Sequence, residues 1–349
     1  MRLLLVTRGF PPRVGGVETL CRQLAEGFAA RGHDVTVLTY GGRVVGVQPM
    51  PGYRVIRLPS RGDVFEWSGR IVPALRRLRF DVCHVHNLHS TVAPGVWASR
   101  RRPYVLTAHY HGGGHTAAAR LLHLPYAAVA RRVLADAAAV TAVSRTEAAL
   151  VRRTFAVDPL VIPNGVDPEE PAEAPWQPSD VSPTIAAVCR LVPHKRVDAV
   201  IRSLPELPGY RLRVLGNGAE RGPLLELADR LKVRDRVEII TERFSDGAVR
   251  DTLRAAAVHV NLSEAESFSY TVLEALAAGT PVVANGASAL AEWANRFPDA
   301  VLLADPELPG QVAAAVRKLT GARVTVDLGE YALPAILDRY RAVYERVAG

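Results

Sequence analysis

Lysine is nearly absent from this chain: 3 stand against 40 arginines in 349 residues. Cysteine is equally scarce. Cys21, Cys83 and Cys189 are widely separated and odd in number, which argues against a disulfide framework and makes a reducing cytoplasm the expected compartment. No apolar run reaches the length of a bilayer span, and Arg2 leading straight into Leu3-Leu4-Leu5-Val6 does not read as a secretory signal. Asp-x-Asp, His-Glu-x-x-His and paired-cysteine motifs are all missing, so no metal site is expected. The first strand is not followed by Gly-x-Gly-x-x-Gly, which disfavours a nicotinamide cofactor.

What is present is the composition of a soluble globular protein, 48% hydrophobic and 22% charged, and long enough for two domains with separate cores. Charge is unevenly placed. Residues 1–180 carry 22 Arg, no Lys and 14 acids, and hence the whole formal excess of +8; residues 181–349 balance at 21 basic and 21 acidic. A basic face could attract an anionic acceptor or a carrier phosphate, but the arginines are scattered in pairs and triplets, which fits solvated helix faces better, and no nucleic-acid partner is expected. Peripheral contact of this basic half with the inner face of an anionic membrane stays open.

The first half reads as alternating strands and helices. Arg2–Val6 is a strand, Thr7–Val17 a loop holding Pro11, Pro12, Gly15 and Gly16, Glu18–Arg31 a helix and Asp34–Leu38 a strand. Paired glycines before a helix N-terminus suit a tight turn and also let the backbone approach a phosphate closely. Further strands read at 53–58, 82–85, 104–107, 139–143 and 160–162, which implies a mostly parallel sheet covered on both faces. Ser144 and Glu147 form a capping-box pattern. Residues 61–80, with Phe65, Trp67, Ile71, Leu75 and Leu78 among arginines, read as an amphipathic helix that covers the sheet or touches a membrane or acceptor. Histidines gather as His84, His86, His89 and as His109, His111, His115; strand-end packing explains them as simply as a site does. Gly112-Gly113-Gly114 reads as a segment able to close over an acceptor.

A Pro- and acid-rich stretch from Asp167 to Pro183 marks an interdomain linker. Beyond it, a strand at 184–189 leads into Arg190-Leu-Val-Pro-His-Lys195, where a planar fork and a compact charge could converge on a phosphate pair. Another strand, 211–215, ends at Gly216-Asn217-Gly218 before a helix, and strands follow at 237–241 and 258–262. The run from Val258 to Ala284 is a strand, a polar turn, a helix from about Ser269 to Ala278 and a further apolar run. Glu266 lies on the turn at the carboxyl end of the strand and Glu274 about one turn inside the helix. That edge of an open α/β sheet is where ligands sit, although the spacing by itself also fits two solvated surface acids.

A Glu followed eight positions later by Glu274-Ala-Leu-Ala-Ala-Gly-Thr-Pro-Val-Val-Ala284 resembles the donor-site motif of the family-four retaining glycosyltransferases. The resemblance extends in order through the glycine loop, the Thr107–Gly112 segment, Pro163-Asn-Gly-Val-Asp167, the Arg190…Lys195 pair and the two acids. It implies a GT-B fold: two Rossmann-like doubly wound α/β domains facing across a cleft. Their expected bounds are 1–165 on the acceptor side and 181–329 on the nucleotide-sugar side, with a terminal helix at about 330–349 packed back on the first.

The resemblance also assigns roles. Gly15 and Gly16 face the donor diphosphate, Arg190 and Lys195 neutralise it, Glu266 orients sugar hydroxyls and Glu274 holds the ribose. His109, with His111 as second choice, reaches the donor sugar. Gly216, Phe268 and Ser269 join the donor-binding set. The family often has Gly-Phe-Gly where this chain has Ser267-Phe268-Ser269, which puts the donor sugar in question. The implied activity is metal-independent hexosyl or N-acetylhexosaminyl transfer from a nucleotide-sugar, UDP-linked in preference to GDP-linked, to a hydroxylated acceptor such as a small metabolite. A lipid or polysaccharide acceptor, or a nucleotide-sugar epimerase of similar fold, are the alternatives.

Overall fold

The computed structural model describes residues 1–42, 44–62, 66–101, 103–112, 117–166, 182–242 and 245–349. Phe65, Gly113, Gly114, His115 and most of the expected linker (167–181) lie outside these. The chain divides into two compact units, Met1–Gly165 with Glu330–Gly349, and Val166–Gly329.

The first unit opens with β1 (Arg2–Thr7), α1 (Gly16–Ala30), β2 (Asp34–Gly42), β3 (Gly46–Met50) and β4 (Tyr53–Pro59). It continues with α2 (Ile71–Arg77), β5 (Val82–His86), α3 (Val92–Ser99) and β6 (Tyr104–Thr107). Then come α4 (Ala117–Ala135), β7 (Ala139–Ala142), α5 (Arg145–Phe155) and β8 (Leu160–Val161). The sheet order is β3-β4-β2-β1-β5-β6-β7-β8, parallel throughout except for β3 against β4. Leu3 to Val6 and Val82 to Val85 are unbroken buried runs because helices cover both faces. From α1, Leu20, Leu24 and Phe28 recur at i+4 and turn one stripe into the core.

The second unit holds β9 (Thr184–Val188), α6 (Val197–Ser203), β10 (Arg211–Leu215), α7 (Arg221–Arg230), β11 (Val237–Ile240) and α8 (Asp246–Ala255). It ends with β12 (Val258–Asn261), α9 (Tyr270–Ala277), β13 (Val282–Ala284), α10 (Leu290–Arg296), β14 (Val301–Leu303) and α11 (Pro309–Leu319). Its sheet runs β11-β10-β9-β12-β13-β14, all parallel. The last helix, α12 (Leu333–Ala348), belongs to the first unit. There the Tyr344 ring lies tilted against that of Phe28 at 5.1 Å and its hydroxyl lies 2.6 Å from His84 Nδ1. Tyr340 and Tyr344 are fully buried.

Local readings needed correction in places. Among the described residues of the periodic stretch 61–80 the helix covers Ile71–Arg77; Arg61 and Trp67 pair as an antiparallel bridge, and Gly62 has a φ of 84°. The short β3, with Pro49 on an exposed edge, carries a loop-like sequence. Ser144 does cap α5, accepting the Glu147 N–H at 3.0 Å. The Glu147 carboxylate, however, does not reach back to Ser144. It is buried and takes the N–H groups of Val143 and Tyr110, both at 2.7 Å, because an enclosed carboxylate must satisfy both oxygens.

Candidate functional site

In each sheet the strand order reverses beside the first strand: β1 lies between β2 and β5, and β9 between β10 and β12. Connections leave such a pair of strands toward opposite faces and open a crevice at their carboxyl ends, where ligands of doubly wound folds bind. The segments following β1, β9 and β12 carry the glycine loop, Arg190 with Lys195, and Glu266.

In the second unit the structure brings Lys195 and Glu266 together. Lys195 closes a 3-10 turn, Pro193–Lys195, just after β9, and its Nζ donates to Glu266 Oε1 at 2.6 Å. Their side chains are only 13% and 16% exposed, so the pair is largely shielded from water. Two backbone links hold the loops in register: the Glu264 N–H donates to the His194 carbonyl at 2.9 Å, and the Glu266 N–H to Ser288 Oγ at 3.0 Å. Arg196, next in sequence, is engaged by Glu264 and Glu307 at 2.9 and 2.7 Å. Arg190 is exposed and makes no ion pair among the described residues. The loop pair thus presents one unneutralised guanidinium beside an internally balanced Lys–Glu pair.

Gly216 serves this arrangement through its missing side chain. A Cβ there would stand 1.8 Å from the Cys189 carbonyl oxygen, and one at Gly218 would stand 2.1 Å from that of Leu191. Both glycines let the end of β10 lie against the chain leaving β9. The Gly216 N–H is bonded to the Ile240 carbonyl at 3.0 Å.

The helix α9 begins at Ser269, whose φ of 76° is in the left-handed region where the family's glycine is at ease and a side chain is strained. Its Oγ does not cap the helix; it accepts from Asn261 Nδ2 at 2.9 Å. The first amides of α9 are therefore left without a side-chain cap, the condition for holding an anion. Phe268 is turned inward: its ring is buried edge-on against Trp293 at 5.1 Å, and its carbonyl accepts the Trp293 indole N–H at 2.7 Å. Glu274 is half-buried on α9. Behind the helix start, fully buried His259 places Nδ1 3.1 Å from the Ala186 carbonyl and Nε2 3.3 Å from Thr271 Oγ1. Burial lowers its pKa to about 4, so it is neutral near pH 7.

Trp293 stands outside the motifs that the sequence makes visible, although a lone Trp on a helix after the donor motif is the kind of residue that carries such a contact. Trp293→Phe leaves the buried Phe268 carbonyl unpaired at a cost of about 1–3 kcal/mol. The expected result is a fall in melting temperature of roughly 3–10 °C, read by scanning calorimetry.

The first unit contributes a histidine group. His109 follows β6 at φ 47° and is nearly buried. Its strained backbone is held by the neighbouring Tyr110 N–H on Glu147. His109 Nε2 lies 3.3 Å from His86 Nδ1, with the rings stacked 5.6 Å apart. His86 Nε2 is buried without a hydrogen-bond partner among the described residues. His84 is fixed by the Tyr344 hydroxyl and by Thr107 Oγ1 at 2.7 Å, and its ring lies 4.0 Å from that of His86. Burial drives all three toward neutrality: His84 and His109 to about 3, and His86 well below the ordinary imidazole value, each helped by a neighbouring histidine. His111 is exposed and stacks on His89 at 5.3 Å. Gly15 takes the N-cap of α1 with no side-chain cap, and a Cβ there would meet Glu18 Oε2 at 2.4 Å. Gly16 is the first residue of α1.

Among the described residues no group of His, Cys, Asp or Glu is placed to hold a metal ion, and no helix is long and apolar enough to cross a membrane.

Comparisons with known proteins bear on the family and the fold. Residues 14–170 match the model described as Glycosyltransferase Family 4, and residues 170–330 that described as Glycosyl transferases group 1. The chain is 28% identical to one component of the phosphatidylinositol N-acetylglucosaminyltransferase of Arabidopsis thaliana, across 99% of this chain and 82% of that protein. Among solved structures, sucrose-phosphate synthase from Thermosynechococcus elongatus superposes with a TM-score of 0.82 at 20% identity, covering 99% of this chain and 98% of the other. HepE of Anabaena in complex with UDP-glucose superposes at 0.78 with 17% identity, covering 99% and 100%. At those identities the two structures speak to the fold alone.

Proposed function

The chain belongs to glycosyltransferase family 4 and has the GT-B fold, and on that premise we propose that it is a retaining transferase. It moves a sugar from a nucleotide-diphospho-sugar, UDP-linked in preference to GDP-linked, to a hydroxyl of a membrane lipid. One observation carries the donor half: Lys195 and Glu266 converge at 2.6 Å on the carboxyl edge of β9 and β12, beside exposed Arg190 and the uncapped start of α9. That grouping supplies cations and amides for a diphosphate, and a carboxylate for sugar hydroxyls. The lipid acceptor, in place of the small metabolite expected from a compact chain, is supported by the phosphatidylinositol named in the Arabidopsis relative.

In this reading Arg190, Lys195 and the α9 amides stabilise the charge that develops on the departing diphosphate. The bond from the anomeric carbon to the diphosphate oxygen breaks as the acceptor oxygen bonds to that carbon on the same face. The acceptor's proton passes to the departing phosphate oxygen, so no protein nucleophile takes part. Glu266 orients sugar hydroxyls and Glu274 the ribose. His109, kept neutral by burial, contacts the donor sugar near the reacting carbon.

The test is a thermal-shift screen over nucleotide-sugars, followed by transfer assays with lipid and soluble acceptors. A UDP-sugar at a hundred times its Kd is expected to add about 2.7 kcal/mol of stability, or roughly 5–10 °C. No shift with any nucleotide-sugar ends the reading; a shift with GDP-sugars alone corrects the nucleotide.

A further inference from the structure

Ser269 is an N-cap residue by sequence but not by geometry. A serine in that place ordinarily has extended backbone and accepts an amide of the helix's first turn. Here φ is 76°, and the hydroxyl is engaged by Asn261 at the end of β12 and by Thr271 of α9. His259, Asn261 and Ser269 are buried and Thr271 is half-buried.

The direction of every bond in this group follows from its ends. His259 Nδ1 lies 3.1 Å from the Ala186 carbonyl, which can only accept, so Nδ1 carries the proton of the neutral ring and Nε2 is an acceptor. The Thr271 hydroxyl, 3.3 Å from Nε2, therefore donates to it. Its lone pair takes the proton of Ser269 Oγ, also at 3.3 Å. At the other end Asn261 Oδ1 accepts the Ser263 N–H at 3.1 Å, which leaves Nδ2 as the donor to Ser269 Oγ at 2.9 Å. One series of hydrogen bonds thus runs from Asn261 through Ser269 and Thr271 to His259.

The same turn is pinned on its other side, where the Phe268 carbonyl accepts the Trp293 indole N–H at 2.7 Å. In a trans peptide the following N–H points the opposite way, and the Ser269 N–H has no hydrogen-bond partner among the described residues. A residue other than glycine stays in the left-handed region only where its surroundings hold it there. These two sets of bonds hold Ser269.

We propose that Asn261 and Thr271, the latter oriented by His259, are positioning residues for the donor. They keep the Ser269 hydroxyl away from α9, and so keep the helix's first amides and the Ser269 N–H open to the diphosphate. Released, Ser269 relaxes into extended backbone and its Oγ caps α9, competing with phosphate for the same amides. Glycine needs no such restraint, having neither hydroxyl nor strain at this φ. The polar series is what lets a serine stand where the family often has glycine. The inference deepens the donor reading and rests on it.

The experiment is a double-mutant cycle read by calorimetric titration of UDP and GDP into the full chain. Thr271→Val keeps the shape of the side chain and removes its hydroxyl. With Ser269 present it is expected to weaken binding of the nucleoside diphosphate about 3–10-fold, the range of one neutral hydrogen bond, and Thr271→Ser is expected to restore it. Ser269→Gly alone should bind within about twofold of wild type, and adding Thr271→Val to it should change binding by less than about twofold, because no hydroxyl is left to restrain. An equal loss in both backgrounds would make Thr271 merely structural and overturn the proposal. No loss in either, or no rescue by Thr271→Ser, would overturn it too. Melting curves check that each variant folds, and Thr271→Ala makes the same cut with the best helix former should valine disturb α9. A wild type that binds neither diphosphate removes the donor reading itself. Wild-type binding without coupling between positions 269 and 271 leaves that reading standing and ends the positioning role alone.

Discussion

Replacing Lys195 by Ala is expected to lower the transfer rate at saturating donor by about 10²–10³-fold, the range seen when one preorganised charge donor is lost from a developing anion. Free UDP should bind about 10–100-fold more weakly, as for loss of one charge-assisted contact of about 1.5–3 kcal/mol. The reason is in the pairing. In the free protein the Lys195 ammonium is held by Glu266 at 2.6 Å, in a place where both side chains are mostly covered. A diphosphate entering there must draw the ammonium partly away from the carboxylate. Glu266→Gln therefore acts in opposite directions on two measurements: UDP alone binds more tightly because the cation is no longer countered, while sugar transfer falls because the hydroxyls exchange a charged two-oxygen acceptor for a single neutral carbonyl. Calorimetric titration with UDP and initial-rate kinetics separate the two. Wild-type turnover in Lys195→Ala would remove the charge role assigned to it.

Acid should unfold the first unit before the second. His84, His86 and His109 are neutral in the folded state because burial opposes their charged forms, and their folded pKa values are about 3, far below and about 3 respectively. Unfolded, each returns to about 6.5. Between those values the unfolded chain binds more protons, so stability falls as the pH drops below 6.5 and is unaffected by these groups above it. Each contributes up to about 1.4 kcal/mol per pH unit. Three together come to about 3 kcal/mol between pH 6.5 and 5.5, because the unfolded imidazoles are only half protonated at the upper limit, a fall of roughly 6–12 °C in melting temperature. In the second unit His259 is in this condition among the described residues, and one such ring costs about a third as much as three. Calorimetry across pH 7.5 to 5 would resolve the two transitions, and His86→Leu should flatten the slope of the first by about one third. A melting curve that is flat across this range would show that these rings are hydrated.

The alternation of strand and helix was readable because each buried strand is a short apolar run bounded by turn residues, and the segments after β9 and β12 carry their chemistry in local motifs. What could not be read depends on contacts far along the chain. Glu147 looks like half of a capping box until the Tyr110 amide arrives from 37 positions away. Phe268 looks like a ligand-facing aromatic until Trp293 claims its ring and its carbonyl. His84 and His86 alternate along one strand, and their spacing says nothing of Tyr344, which reaches His84 across 260 positions. The edge strand β3 was invisible for a different reason: its exposed Val47 and Pro49 follow no burial pattern.

The return of α12 to the first unit fixes where this polypeptide can be divided. The backbone passes from one unit to the other twice, near Gly165 and again near Gly329, so a single cleavage at either place leaves the pieces strung on one thread. A fragment ending at Gly165 keeps every strand of the first sheet but loses Tyr340 and Tyr344, uncovering Phe28 and His84 to water. Excising the first half for separate expression thus calls for grafting the final helix back onto it.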